Sequence, residues 1–405
     1  WWGLSRALER WGKSSHTEAL LKASKLQDRA SHREQQLILA SMQEKGQAPG
    51  VGDGEARKRK AIATIDNLIA LYDDDEEAWY FRAQLAGGAG LFGGQASSVP
   101  FYKALLRVNP MHPGGNHELL HYYENSRRPA LGWVYAENYI KSSPSIPHPF
   151  HMQAHLAMRI GKWAHTTDRS AHAIELERAY HKEMSVQPGQ DQQYPHHLET
   201  LLRSLIHDGR FAEARAIEAE QRKCGYKSWQ LWFQLHLAQR DWTEARKVID
   251  ELSKANKKDK ATPAYYLALF YLKQGDAARA LPEIEVLQHA FRDRHNDKAL
   301  ESRLWETQGW YMCQTGDPDA GLKLLARAVA KTKDNYGHHA WGNGAYYMET
   351  WGIAALQAGR EVLAEEGFLE ALAHDAGSVR AALGMQVLCC LLYTSPSPRD
   401  RQKPR

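Results

Sequence analysis

Asp208-Gly209-Arg210-Phe211-Ala212-Glu213-Ala214-Arg215 is answered further along the chain by Arg240-Asp241-Trp242-Thr243-Glu244-Ala245-Arg246. Gly275-Asp276-Ala277-Ala278-Arg279-Ala280, Gly316-Asp317-Pro318-Asp319-Ala320-Gly321 and Gly359-Arg360-Glu361-Val362-Leu363-Ala364 continue the series. The closing small residues Ala214, Ala245, Ala280, Gly321 and Ala364 recur at spacings of 31, 35, 41 and 43. Each segment reads as a helix, a tight turn and a second helix. The turn glycine supplies the positive φ that ends the first helix. The small residue lets the second helix pack closely on the first. Outward from these segments, apolar residues keep a period of 3.6, and Ala, Leu, Glu, Lys, Arg and Gln fill the patterns. Strand signals are nearly absent, and fixed-period recurrence is the signature of a helical repeat array.

The repeats resemble tetratricopeptide repeats, whose signature places small and aromatic residues at fixed positions of both helices. Trp305, Gly309 and Met312 precede Gly321, Leu325 and Ala328 in one unit. Met348, Gly352 and Ala355 precede Ala364, Phe368 and Ala371 in another. Trp229, Phe233, Ala245 and Ile249 mark a third, and Ala268, Tyr271, Ala280, Ile284 and Leu287 a fourth. Two departures stand out: Arg240 replaces the turn glycine, and Pro282 falls inside a second helix, where it is expected to kink or weaken it. The resemblance implies an all-α fold, a right-handed α-solenoid of about eight or nine antiparallel helix hairpins.

The chain has 405 residues, 43% hydrophobic and 25% charged, and its longest apolar runs are far too short to cross a membrane. Of the net charge of +4, the residues after Leu392 supply +3, so the rest is nearly neutral. That balance argues against a nucleic-acid footprint. The four cysteines have neither metal-ligand nor redox spacing. Trp1-Trp2-Gly3 reads as a start inside a helix, with any targeting segment upstream, so localisation is left open. The segment from Cys390 to Asp400 resembles a translated sequencing adapter, and its prolines forbid a helix. Four regions are expected: irregular helical hairpins at 1–110, histidine-bearing repeats at 111–195, regular repeats at 196–387, and a disordered, non-native tail at 388–405. In the first, Ser31-His32-Arg33-Glu34 is a capping box. The glycine-rich stretch 86–98 has no following Lys-Ser/Thr and reads as a connector, not a phosphate loop.

Histidine density singles out 116–197. Asn116-His117-Glu118-Leu119-Leu120-His121-Tyr122-Tyr123-Glu124, His148-Pro149-Phe150-His151-Met152-Gln153-Ala154-His155 and Tyr194-Pro195-His196-His197 stand in succession. These strings resemble those of uncharacterised bacterial tetratricopeptide-repeat proteins, a resemblance that implies fold but no activity. His117/His121 and His151/His155 are each four apart, which puts each pair on one helical face. Pro113, Pro149 and Pro195 mark helix starts, so these histidines fall in opening turns of three successive first helices. First helices of such repeats line the concave face, where the imidazoles are expected to converge.

Three roles are open to them. They pack and hydrogen-bond between repeats; or His117, His121, Tyr122, His151, His155 and His196 form an anion pocket at helix N-termini; or His117, His121, His151 and His155 hold zinc or another divalent metal, with Glu118 or Glu124 nearby. His338 and His339 are given no role. No nucleophile elbow, His-Glu-x-x-His motif or paired-cysteine site is present, so no catalytic residues are assigned. The sequence therefore describes a tetratricopeptide-like scaffold binding a peptide, protein segment or anionic ligand in its concave groove, with no cofactor. The alternative is a metal-binding protein or metal-dependent hydrolase centred on His117, His121, His151 and His155.

Overall fold

The computed structural model describes residues 1–50, 52–87, 95–333 and 345–394, with side chains through 391. Among the described residues all regular structure is helical, with no strand. Two compact units form: Trp1–Tyr122 with Val134–Pro144, and Tyr123–Trp133 with Ser145–Arg405. This division differs from a boundary at 110, because the histidine-bearing segment is shared between them.

The first unit contains α1 (Trp2–Arg10), α2 (His16–Lys25), α3 (His32–Glu44), α4 (Gly54–Leu71), α5 (Glu76–Gly87) and α6 (Val99–Val108). It also holds most of α7 (Pro113–Glu124) and α8 (Trp133–Ser142). The expected capping box opens α3: the Ser31 hydroxyl accepts from the Glu34 N–H, while the Glu34 carboxylate accepts from the Ser31 N–H. Leu37, Ile65, Leu68, Phe81 and Leu85 form the core where α3, α4 and α5 meet. Ser98 Oγ donates to the Ala83 carbonyl at 2.8 Å and ties α6 to α5. The middle of the glycine-rich connector, 88–94, lies outside the described residues.

The second unit is a run of helix pairs: α9 (Pro147–Arg159) with α10 (Trp163–Met184), α11 (Tyr194–His207) with α12 (Phe211–Lys223), and α13 (Trp229–Ala238) with α14 (Trp242–Ala255). It continues as α15 (Ala261–Lys273) with α16 (Ala277–Asp293), α17 (Lys298–Gln314) with α18 (Pro318–Thr332), α19 (Tyr346–Gln357) with α20 (Glu361–His374), and then α21 (Val379–Thr394). One apolar core runs unbroken from Ile174 to Leu388. Ala214, Ala245, Ala280 and Ala364 are completely buried in it, each where a second helix crosses the first. The α17–α18 crossing is closest. A Cβ on Gly309 would come within 2.7 Å of the Gly321 carbonyl, and one on Gly321 would strike the Gly309 carbonyl. Backbone meets backbone there, as the small-residue pattern demands.

Both departures from the repeat pattern have a structural outcome. Arg240 adopts φ = 55°, the left-handed conformation that glycine takes in the sister turns at Gly209, Gly275 and Gly359. A side chain there costs about 1–2 kcal/mol, of which glycine's greater unfolded-state entropy takes back part. Arg240→Gly is expected to raise stability by about 0.5–1 kcal/mol, read as an increase in the chemical-denaturation midpoint. Pro282, expected inside a second helix that it would kink or weaken, stands inside α16, which runs from Ala277 to Asp293. The boundary at 388 also moves. The apolar pattern of 379–391 carries α21 through to Thr394, with Leu388 only 1% exposed in the core. Residues 395–405, including the adapter-like string's prolines, lie outside the described residues, as do His338 and His339.

The two ends of the second unit meet. The turn after α9 docks on the turn after α20. Arg159, buried, donates to the carbonyls of Glu124 (3.3 Å), Ser126 (3.2 Å) and His374. Trp163 Nε1 donates to the Gly377 carbonyl at 2.6 Å. Gly161 and Gly377 make the approach possible. A Cβ on Gly161 would fall 2.9 Å from the Ala376 carbonyl, and one on Gly377 2.7 Å from the Met158 carbonyl. The solenoid of this unit is thus closed rather than open-ended.

Candidate functional site

Proline sets where the histidines stand. Pro147 is the first residue of α9 and Pro195 the second of α11, positions where the missing N–H costs nothing. His151 and His155 follow one turn apart on α9, with ring centroids 4.4 Å apart and edge to face. α11 packs beside α9, bringing its opening turn to the same level. The His196 ring lies 4.5 Å from that of His151 and 5.1 Å from that of His155. His197 lies 4.0 Å from His151, and His148 lies 5.9 Å from it. Nitrogens of His151, His155 and His196 all come within 4.8 Å of one another.

Carboxylates stand behind this cluster. His155 Nδ1 is 3.0 Å from Glu124 Oε1, and both groups are buried. His197 Nδ1 is 2.9 Å from Glu177 Oε2 on α10. Thr200 Oγ1 donates to the His196 carbonyl at 3.1 Å and stands 3.5 Å from His155 Nε2. His151 is only 1% exposed, and its Nδ1 has no hydrogen-bond partner among the described residues. Burial holds His151 far below the ordinary imidazole range, reinforced by His197, His155, His196 and His148. Burial, then His155 and His197, push His196 down to about 3. Both are therefore neutral at physiological pH.

His117 and His121 belong to the first unit, on α7. Their rings are edge to face with centroids 4.6 Å apart, and the His117 ring lies 5.4 Å from that of Tyr139. His117 Nδ1 is 3.6 Å from Glu118 Oε1. Burial lowers the His117 pKa, while Glu118 opposes the shift. Tyr122 is half-buried one residue beyond His121. The structure thus gathers His151, His155 and His196 in the second unit and keeps His117 paired with His121 in the first.

His155 and His196 form part of the wall of a cavity of about 500 Å³ that also takes in Arg203, Lys227, Trp229 and Tyr266. A second cavity of about 230 Å³ shares Gln230 and Tyr266 with it and reaches Lys273, Arg303, Glu306 and Arg380. Together they form a groove along the first helices α11, α13, α15, α17 and α19. Arg203 on α11 donates across it to Tyr346 Oη on α19 at 3.4 Å. Five lysines and arginines line the groove against two carboxylates, Glu199 and Glu306. Glu306 is buried and accepts from Tyr265 Oη and Thr350 Oγ1, each at 2.7 Å. Burial raises its pKa. Burial and the nearby Arg380 lower Lys273 to about 8, against the pull of Glu306 and Glu349.

Arginine and lysine side chains supply positive charge that an anion would meet here. Sequence reasoning missed these residues because the chain is nearly neutral beyond its tail. Arg203, Lys273, Arg303 and Arg380 stand on α11, α15, α17 and α21, and Lys227 just before α13. His197 and Glu177 were missed as well, although the adjacent His196-His197 pair hinted at the first.

No family model matches this chain, and no curated protein sequence does. Solved structures with a similar course include the Cut9–Hcn1 hetero-tetramer of the APC/C, at 11% identity over 89% of this chain, with a TM-score of 0.40. This chain covers 64% of the length of that one. The human IFIT1 dimer with m7Gppp-AAAA aligns at 12% identity over 91% of this chain and 88% of that one, with a TM-score of 0.40. The TPR domain of P58(IPK) aligns at 12% identity over 91% of this chain and all of that one, with a TM-score of 0.27. The tetratricopeptide-like architecture rests on this chain's own helix pairs and in-register small residues.

Proposed function

We propose that the second unit is a binding scaffold whose inner groove holds an acidic, extended protein segment. The observation that carries this reading is the imbalance of charge: five cationic side chains against two carboxylates, on a face shared with Trp229 and Tyr266. Arg203 and Arg303 present planar guanidinium groups that match a carboxylate bidentately. The aromatic rings supply apolar area without much loss of side-chain freedom. The two cavities share Gln230 and Tyr266 and are lined from the first helices α11, α13, α15, α17 and α19, an extent that suits a strand-like segment better than a small molecule.

A fluorescently labelled acidic peptide titrated into the full chain is expected to bind saturably, and more weakly as salt is raised. Arg303→Ala is expected to weaken it by about five- to tenfold, the effect of losing one charge-assisted contact. Affinity is also expected to fall as pH rises from 7 to 9. Lys273 is charged below its pKa of about 8 and loses that charge above it, while Arg303 and Arg380 stay protonated. Lys273→Met removes most of that pH dependence. Equal binding of a basic peptide, or tighter binding of a single-stranded oligonucleotide, contradicts the reading. No described helix is long and apolar enough to cross a membrane.

A further inference from the structure

We propose that His151, His155 and His196 hold one divalent transition-metal ion of the zinc class at the wall of the groove, with Glu124 as the positioning residue for His155. The site uses none of the cationic side chains on which the acidic-segment reading rests, Arg203, Lys227, Lys273, Arg303 and Arg380, although it opens to the same cavity.

Ligand spacing comes first. Nitrogens bound to zinc at about 2.0–2.1 Å in tetrahedral geometry stand roughly 3.4 Å apart. The three imidazoles already offer nitrogens within 4.8 Å of one another, so small side-chain rotations close the site. α9 supplies two of them from one face and α11 the third from its opening turn, so the ligands come from rigid, packed helices. Donor chemistry comes second. Three imidazoles suit zinc, copper, nickel or iron rather than magnesium or calcium, which take oxygen.

The surroundings point the same way. Glu124 Oε1 stands 3.0 Å from His155 Nδ1, so its charge favours the tautomer with the proton on that nitrogen and the lone pair on Nε2. A carboxylate behind a histidine is the usual outer support of such a ligand. His151 Nδ1 is a buried polar atom without a hydrogen-bond partner among the described residues, an arrangement that is destabilising unless something occupies it. His197 has its Nδ1 2.9 Å from Glu177 and packs its ring on His151, so it acts as a wall rather than a fourth ligand. His155 and His196 face the large cavity, which leaves the fourth coordination position open to the groove. A three-histidine site with one open position can take water or a carboxylate from a bound ligand.

The experiment uses the full chain, stripped of metal by chelator and dialysed, then titrated with Zn²⁺ alone. Bound metal is counted by elemental analysis, and peptide binding is measured separately on the metal-free protein. One tight equivalent per chain is expected. His196→Gln and His151→Gln are each expected to weaken it at least tenfold, Glu124→Gln by about ten- to a hundredfold, and the exposed His289→Ala not at all. X-ray absorption on the zinc-loaded wild type, which needs no variant to fold, is expected to count three imidazoles. Substoichiometric uptake, a full equivalent retained at unchanged affinity by His196→Gln, or two or fewer imidazoles in the absorption spectrum would each overturn the proposal.

Discussion

Phe368→Ala is expected to cost about 3–5 kcal/mol, the range for emptying a packed aromatic site. Phe368 is completely buried on α20, and its ring fills space that three helices leave for it. A Cβ on Gly352 of α19 would lie 2.6 Å from the ring, and one on Gly384 of α21 would collide with its far end. Neither glycine has a side chain that could swing in to fill the void. A Cβ on Gly367, the neighbour of Phe368, would lie 2.8 Å from the Gly352 backbone, so the helices have little closer approach to make. The cavity should therefore persist, which places the cost at the upper part of the range. Denaturant unfolding with a fixed m-value would read it. A loss below about 1 kcal/mol would mean that the last repeats pack less tightly than these glycine contacts require.

Arg159→Leu is expected to cost about 3 kcal/mol and, more tellingly, to open one place. The guanidinium ties the carbonyls of Glu124, Ser126 and His374 together from a buried position, across 215 residues of chain in the last case. Leucine fills much of the volume but leaves three carbonyls without their donor, each worth about 1 kcal/mol or more. Arg159→Lys keeps the charge but lacks the fork that spans three acceptors, so it should recover only part of the loss. Amide hydrogen exchange is the discriminating measurement. Accelerated exchange confined to 124–128 and 374–378 marks loss of the closure, whereas uniform acceleration over α9–α21 marks general destabilisation.

How far each feature was legible in the sequence depends on whether its cause is local. Turn residues and crossing residues act within a repeat, so Gly309 against Gly321 and the strained φ of Arg240 were readable from spacing alone. The capping box at Ser31 is equally local. Of the five histidines expected to converge, His151, His155 and His196 meet on α9 and α11, while His117 and His121 pair on α7. Two things were not legible. Closure depends on Arg159 meeting a turn 215 residues away, and periodic patterning carries no information about such a pair. Groove charge depends on which lysines and arginines face inward, and composition averages that away. The endpoint of α21 was also misread. The prolines at 396 and 398 fall beyond Thr394 and place no constraint on the helix before it, while Leu388 is held by the core.

The central claim is that the inner face of the second unit is the binding surface. Photo-crosslinking maps it directly, using an acidic peptide that carries a benzophenone and the full chain, with mass spectrometry of the joined fragments. Crosslinks on the groove residues of α11, α13, α15, α17 and α19, such as Arg203, Tyr266 and Arg303, are the expected result, lost when unlabelled peptide competes. Crosslinks concentrated on the second helices α12, α14, α16 and α18, with the groove residues unlabelled, would contradict it.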